Sequence, residues 1–152
     1  MLYPLSYGGP GCMTVPAPHE TPSLSRVDRP PRVLVVDDTE NVRRLIRVNL
    51  ELDGIEVHVA CDGQEALDVV DAVQPDLITM DVMMPRLDGL AAAARLRARP
   101  DTAAIPIVMV TARAQTTDRA AGRAVGVDAY LTKPFDPDEL VRTVRELLRG
   151  RG

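Results

Sequence analysis

Five short apolar runs, each closed by a polar or turn-forming residue and followed by a stretch of helical spacing, constrain this chain more than any other feature. Val33-Leu34-Val35-Val36 ends on Asp37-Asp38. Val42, Leu45, Ile46 and Leu50 then recur as one face of a helix, which Gly54 stops. Ile55, Val57 and Val59 alternate with Glu56 and His58 as a strand does, and Gly63 opens a helix over Ala66, Leu67, Val70 and Val73 that Pro75 breaks. Asp76 to Met80 forms the third strand, and Leu90, Ala93, Ala94 and Leu96 mark a third helix closed near Pro100. Ile105 to Val110 is the fourth run, ending on Thr111, and a weaker helix spans about Gln115 to Val125. Ala129-Tyr130-Leu131-Thr132 reads as a short fifth strand ending on Lys133-Pro134, and Leu140, Val144, Leu147 and Leu148 line a last helix.

Strands alternating with helices predict βαβ units and an α/β fold: a doubly wound, parallel five-stranded sheet, (βα)5, with helices on both faces. In a flavodoxin-like order, 2-1-3-4-5, the second strand lies outermost, away from the switch point where such sheets bind ligands. Residues 1–31 differ from the rest. They hold seven of the 13 prolines, with Gly8, Gly9 and Gly11, show no periodicity, and are expected to be a disordered tail in which Met13 competes with Met1 as the start. Residues 32–149 make the domain, and with so little chain after Leu148 no output domain is expected.

Composition removes several classes of function. No apolar run approaches the roughly 18 residues of a membrane span, and no secretory signal is visible, so a cytoplasmic location is the default expectation. Cys12 and Cys61 make neither a disulfide framework nor a metal-ligand spacing. A net charge of −4 disfavours broad nucleic-acid binding. Lys133 is the only lysine, every other basic residue being arginine, which suggests that a lysine is needed there.

The strand ends carry the chemistry. Asp37 and Asp38 follow the first strand, Asp81 the third, Thr111 ends the fourth and Lys133 follows the fifth, and a parallel sheet brings all of them to one edge. Two carboxylates about 4 Å apart repel by roughly 4 kcal/mol at an effective dielectric near 20, so such a site calls for a cation. Hard oxygen donors suit Mg2+. Lys133 adds a compact positive charge and Thr111 a hydroxyl, and together these groups describe a phosphoryl-transfer centre. Plainer readings stand beside this one: Asp81 as a turn acid, Asp37-Asp38 as helix caps, Thr111 as a helix start, Tyr130 as core or an exposed ring. Asp88 and Gly89 read as a cap and a turn, Arg95, Arg97 and Arg99 as a solvated stripe, and Arg119 and Arg123 as a solvated face or a partner contact.

Asp37-Asp38, Asp81 with Met-Pro-x-x-Asp-Gly behind it, Thr111-Ala112, and Tyr130-x-x-Lys133-Pro134-Phe135 closely resemble the receiver domain of bacterial two-component response regulators, in its stand-alone, chemotaxis-regulator-like form. The resemblance implies that Asp81 takes a phosphoryl group from a histidine kinase or phosphotransfer protein. It implies Mg2+ held by Asp38, Asp81 and the backbone carbonyl of Met83, with Asp37 helping to position it. Lys133 would pair with the phosphoryl group, Thr111 would swing to bond it, and Tyr130 would turn inward. The Lys133–Pro134 bond is expected to be cis. The implied output surface, roughly residues 113–149, is the fifth strand with its flanking helices, which could also serve a homodimer.

Such a protein is a signalling phosphoacceptor, not a turnover enzyme, with an unspecified downstream protein target and neither direct DNA binding nor membrane insertion expected. A phosphate-independent adaptor, a phosphorelay intermediate and a phosphate sink are the alternatives within the fold. A haloacid-dehalogenase-like phosphatase would need Asp-x-Asp at its nucleophile, whereas Asp81 is followed by Val82 and Met83, and Asp37-Asp38 by Thr39. Met83 and Arg113, each two residues past a site residue, occupy positions where the family tunes phosphate lifetime.

Overall fold

The computed structural model describes residues 29–112, 120 and 123–151. Its strands are β1 (Arg32–Val36), β2 (Glu56–Ala60), β3 (Leu77–Met80), β4 (Ile107–Thr111) and β5 (Ala129–Thr132). They form one sheet of order β2-β1-β3-β4-β5, and every neighbouring pair is parallel. The helices between and after them are α1 (Glu40–Leu52), α2 (Gly63–Val73), α3 (Gly89–Ala98) and α5 (Pro137–Arg151), with α4 represented by Ala120 and residues 123–125. The rest of the helix expected from Gln115 lies outside the described residues, as do Arg113, Arg119 and residues 1–28. No described helix is long and apolar enough to cross a membrane.

Alternation within each buried strand divides the core in two. Leu34, Val36, Ile78, Met80, Ile107 and Met109 face α2 and α3 through Ala66, Val70, Ala92, Ala93 and Leu96. Val33, Val35, Leu77, Val108, Val110 and Leu131 face α1 and α5 through Ile46, Leu50, Leu140 and Val144. Both faces of the central strands are therefore covered, as their continuous apolar runs require. Each of these larger side chains stabilises the fold by roughly 1.5–3 kcal/mol relative to exposure.

Where the pattern misleads, tertiary packing is the reason. Leu45 is 43% exposed because α1 rests on Ile46 and Leu50, leaving its neighbour turned aside. Val59 is 37% exposed on β2, an outer strand with a partner on one side only. The Arg95–Arg97–Arg99 stripe is not a uniformly solvated face. Only 18% of the Arg97 side chain is exposed. Its guanidinium donates to the carbonyls of Ala103, Ile105 and Gly126 at 2.6–3.1 Å, and to Asp128 Oδ2 at 3.0 Å. Arg99 pairs with Asp71 and Asp101, and Arg95 is exposed.

Residues before Arg32 also contact the sheet. The amide of Glu56 donates to the Pro31 carbonyl at 2.9 Å, and Arg29 forms an ion pair with Asp76 at 3.2 Å.

Candidate functional site

Register sets the levels of the strand ends. Val36 stands beside both Ala60 and Met80, so Asp37 and Asp81 leave the sheet side by side. Met80 pairs with Met109 and Thr111 with Thr132, which places Lys133 two rungs beyond Asp81. The long lysine stem spans that gap and brings Nζ back to the carboxylates. Lys133 Nζ donates to Asp37 Oδ2 at 2.7 Å and to Asp81 Oδ2 at 3.1 Å. The Lys133–Pro134 bond is cis, as expected, and the Lys133 amide donates to the Thr111 carbonyl at 2.8 Å.

Local geometry orients each acid. Asp37 is 1% exposed, and its Oδ1 accepts the Thr39 amide at 2.9 Å, turning the chain into α1. Arg43 Nη1, from the first turn of α1, donates to the Asp37 carbonyl at 2.7 Å. Asp38, the next residue, is exposed. Asp81 is 6% exposed, and its Oδ1 accepts the Met83 amide at 3.2 Å. Behind it Asp88 caps α3 by accepting the Ala91 amide at 2.8 Å, so the cap reading holds, while the Gly89 amide donates to the Val82 carbonyl at 2.9 Å. A Cβ on Gly89 would fall 2.1 Å from the Asp81 carbonyl oxygen, so only glycine lets α3 begin this close to Asp81.

Ligand oxygens of Asp37, Asp38 and Asp81 all lie within 4.8 Å of one another. Burial pushes the Asp37 carboxyl above its ordinary value, assisted by the Asp81 charge and opposed by Lys133 and the Thr39 amide. Burial alone would lower Lys133, but its hydrogen bonds and attraction to Asp37 and Asp81 outweigh that and raise it. One ammonium thus faces three carboxylates. This hard, oxygen-only, net-negative donor set fits Mg2+ and has no sulfur or imidazole ligand for a softer metal.

Among the other expected site residues, Thr111 is fully buried at the end of β4. Tyr130 is half-buried on β5 and packs against the core on the α2–α3 side. Met83 is exposed, with its amide turned toward Asp81. The sequence reading missed a pair beside this group. Arg86 Nε and Nη2 donate to Asp62 Oδ2 and Oδ1 at 3.0 and 3.1 Å. An Asp-Gly step before helical spacing is a recognisable cap signal for Asp62, but nothing marks Arg86 as its partner.

The model of the response regulator receiver domain matches residues 33–145. Similar proteins include the response regulator MprA of Mycolicibacterium vanbaalenii, 47% identical over 120 residues, which are 79% of this chain and 51% of that protein. The DNA-binding dual master transcriptional regulator RpaA of Synechocystis is 44% identical over 119 residues, 78% of this chain and 49% of the relative. The chain thus spans about half the length of the curated relatives it matches. Among solved structures, a putative response regulator from Chloroflexus aurantiacus superposes with TM-score 0.76 at 37% identity, covering 80% of this chain and 99% of that one. The Vibrio cholerae chemotaxis protein CheY4 gives TM-score 0.75 at 33% identity, covering 78% of this chain and 98% of that one.

Proposed function

The chain belongs to the response regulator receiver family, a family of two-component signalling proteins, and from that premise we propose that Asp81 accepts a phosphoryl group from a histidine kinase or phosphotransfer protein. The observation that carries this reading is the Asp81 carboxylate, nearly buried at a strand's carboxyl end, held by Lys133 and gathered with Asp37 and Asp38. A carboxylate oxygen attacks the phosphorus of a phosphoimidazole. A P–O bond forms, the P–N bond breaks, and the imidazole leaves with the bonding pair.

Asp37, Asp38, Asp81 and the Met83 carbonyl would hold Mg2+, which when bound neutralises charge on the phosphoryl oxygens. Lys133 is already an ion-pair partner of Asp81, and it follows the transferred charge by shifting onto a phosphoryl oxygen. Thr111, fully buried one rung past the level of Asp81, is suited to donate its hydroxyl to the same group. Tyr130 lies on the adjoining strand with its ring half-buried, and it responds by turning inward. The output is a change in the surface of β5 and its flanking helices, read by a protein partner or a second copy of the chain. The domain at 32–149 works in the cytoplasm as a phosphoacceptor, without catalytic turnover. DNA binding is named for a relative of which this chain covers 49%.

The test is intact-protein mass after incubation with acetyl phosphate, with and without Mg2+, beside Asp81→Asn. One Mg2+-dependent phosphoryl adduct in the wild type and none in the variant is expected. An Asp81→Asn protein labelled at the wild-type rate would refute the assignment. Absence of an adduct in the wild type, with a phosphorylated kinase also failing to label it, would favour a phosphate-independent adaptor.

A further inference from the structure

The loop between β3 and α3, residues 81–88, is fastened at more than its ends. Arg86 reaches 24 positions back along the chain to the N-cap of α2 and forms a two-point ion pair with Asp62. The same Asp62 carboxylate accepts the Glu65 amide at 2.8 Å, so its position is already fixed by the helix it caps. Beside this pair the Gly63 amide donates to the Leu87 carbonyl at 3.2 Å. A Cβ on Gly63 would lie 2.4 Å from that oxygen, so glycine is what lets the two backbones meet. Arg86 itself has φ +65°, a left-handed conformation that a non-glycine residue adopts at a cost. Three side-chain and backbone bonds and one strained residue thus converge on a loop whose middle, Met83 to Pro85, is otherwise half-buried or exposed.

Stability alone is a weak reason for this arrangement. The Arg86 side chain is 60% exposed, and ion pairs so open to water contribute little to folding. Geometry offers a better one. The clamped loop starts at Asp81 and carries Met83, whose amide bonds Asp81 Oδ1, and it ends at the Asp88 cap of α3. A planar guanidinium held by both carboxylate oxygens fixes direction as well as distance. We infer that Arg86 and Asp62 are positioning residues for the phosphoryl-acceptor site, a clasp between the β2–α2 and β3–α3 loops that holds the Met83 backbone where it can serve a cation bound at Asp81. The inference rests on the reading of the site given above and adds the means by which its most exposed part is kept in register.

Two substitutions isolate the clasp. Arg86→Gly removes the ion pair and also relieves the left-handed strain. Asp62→Asn keeps an oxygen to cap α2 but loses the charge that binds Arg86. Mg2+ affinity of the full chain, measured by calorimetry without any phosphodonor, is expected to fall about threefold to tenfold in each, below the 10–100-fold typical of groups bonded directly to a metal ligand. The double variant should be no weaker than the worse single one, because both remove one interaction. Amide exchange at Gly63 and across 82–89 should quicken, and the acetyl phosphate labelling rate should fall in step with Mg2+ affinity.

Mg2+ affinity within twofold of wild type in either single variant would overturn the inference, as would losses that multiply in the double. A lower Tm with unchanged Mg2+ affinity would overturn it too, leaving the clasp a structural tie. These readouts hold even if the wild type takes no phosphoryl group, a result that would count against the acceptor assignment alone.

Discussion

The two edges of the sheet use the same residue type in opposite ways. At the amino edge, Asp76 before β3 accepts hydrogen bonds from Arg29 Nη1 and Nη2, at 3.2 and 3.4 Å, and from the Arg32 amide at 2.9 Å. Asp128 before β5 accepts Arg97 at 3.0 Å and the Ile107 amide at 2.8 Å. Each acid there has an arginine and a backbone N–H of its own. At the carboxyl edge Asp37 and Asp81 share one ammonium, Lys133, and the Asp38 carboxylate is gathered beside them. Acids that are matched one to one tie loops together, whereas acids gathered in excess of their cations leave capacity for another charge. The contrast separates acids that are paired one to one from the acids that the proposed function puts to use.

The comparison is easiest to break at the amino edge. Asp76→Ala should destabilise by about 2 kcal/mol in urea unfolding, because it leaves the Arg29 charge and the Arg32 amide without their acceptor. A loss under half of that would mean the amino edge is not held by this pairing. Arg97→Met should cost roughly 1–2 kcal/mol by the same measurement, since it removes donors from three carbonyls and one carboxylate while keeping the apolar stem. Neither change should alter Mg2+ affinity.

Between the edges lies Thr79, buried on β3 with a hydroxyl that has no hydrogen-bond partner among the described residues. Thr79→Val should stabilise by up to about 1 kcal/mol, and a net loss would show that the hydroxyl has a partner such as a buried water. The smallest effect is expected from Asp37→Asn in metal-free protein, and its sign is opposite to that of Asp76→Ala. Folding raises the Asp37 carboxyl, so the protonated form is the one the fold favours. Its contribution to stability therefore declines as pH climbs from the ordinary carboxylate range through the raised value. Asparagine removes that decline, so the variant should gain on wild type as pH rises through that window. A variant that instead lost stability there would show that the bond to Lys133 outweighs burial.

Most of the fold and the gathering of Asp37, Asp38 and Asp81 at one end of the strands were legible because each depends on position along the chain. Val33 to Val36, Leu77 to Met80 and Ile107 to Val110 are, Thr79 apart, apolar on both faces, which a covered parallel sheet accommodates, and their ends carry Asp37, Asp81 and Thr111. Parallel register then brings those residues to one edge without further information. What stayed hidden depends on distance in space. Arg29 and Asp76 are 47 residues apart, Arg97 and Asp128 are 31 apart, and Arg86 meets Asp62 only because two loops converge. Exposure at Leu45 and Val59 likewise follows from which strand is outermost and how α1 sits, and local spacing records neither.

The account's central claim is that one particular acid among three gathered carboxylates takes the phosphoryl group, and the most direct test is to mark that acid chemically. An aspartyl phosphate is an acyl phosphate, and borohydride reduces it to homoserine while leaving free carboxylates untouched. Wild-type protein treated with acetyl phosphate and Mg2+, reduced and mapped by peptide mass, should carry homoserine at position 81 and aspartate at 37 and 38. Homoserine at 37 or 38, with Asp81 intact, would contradict the account.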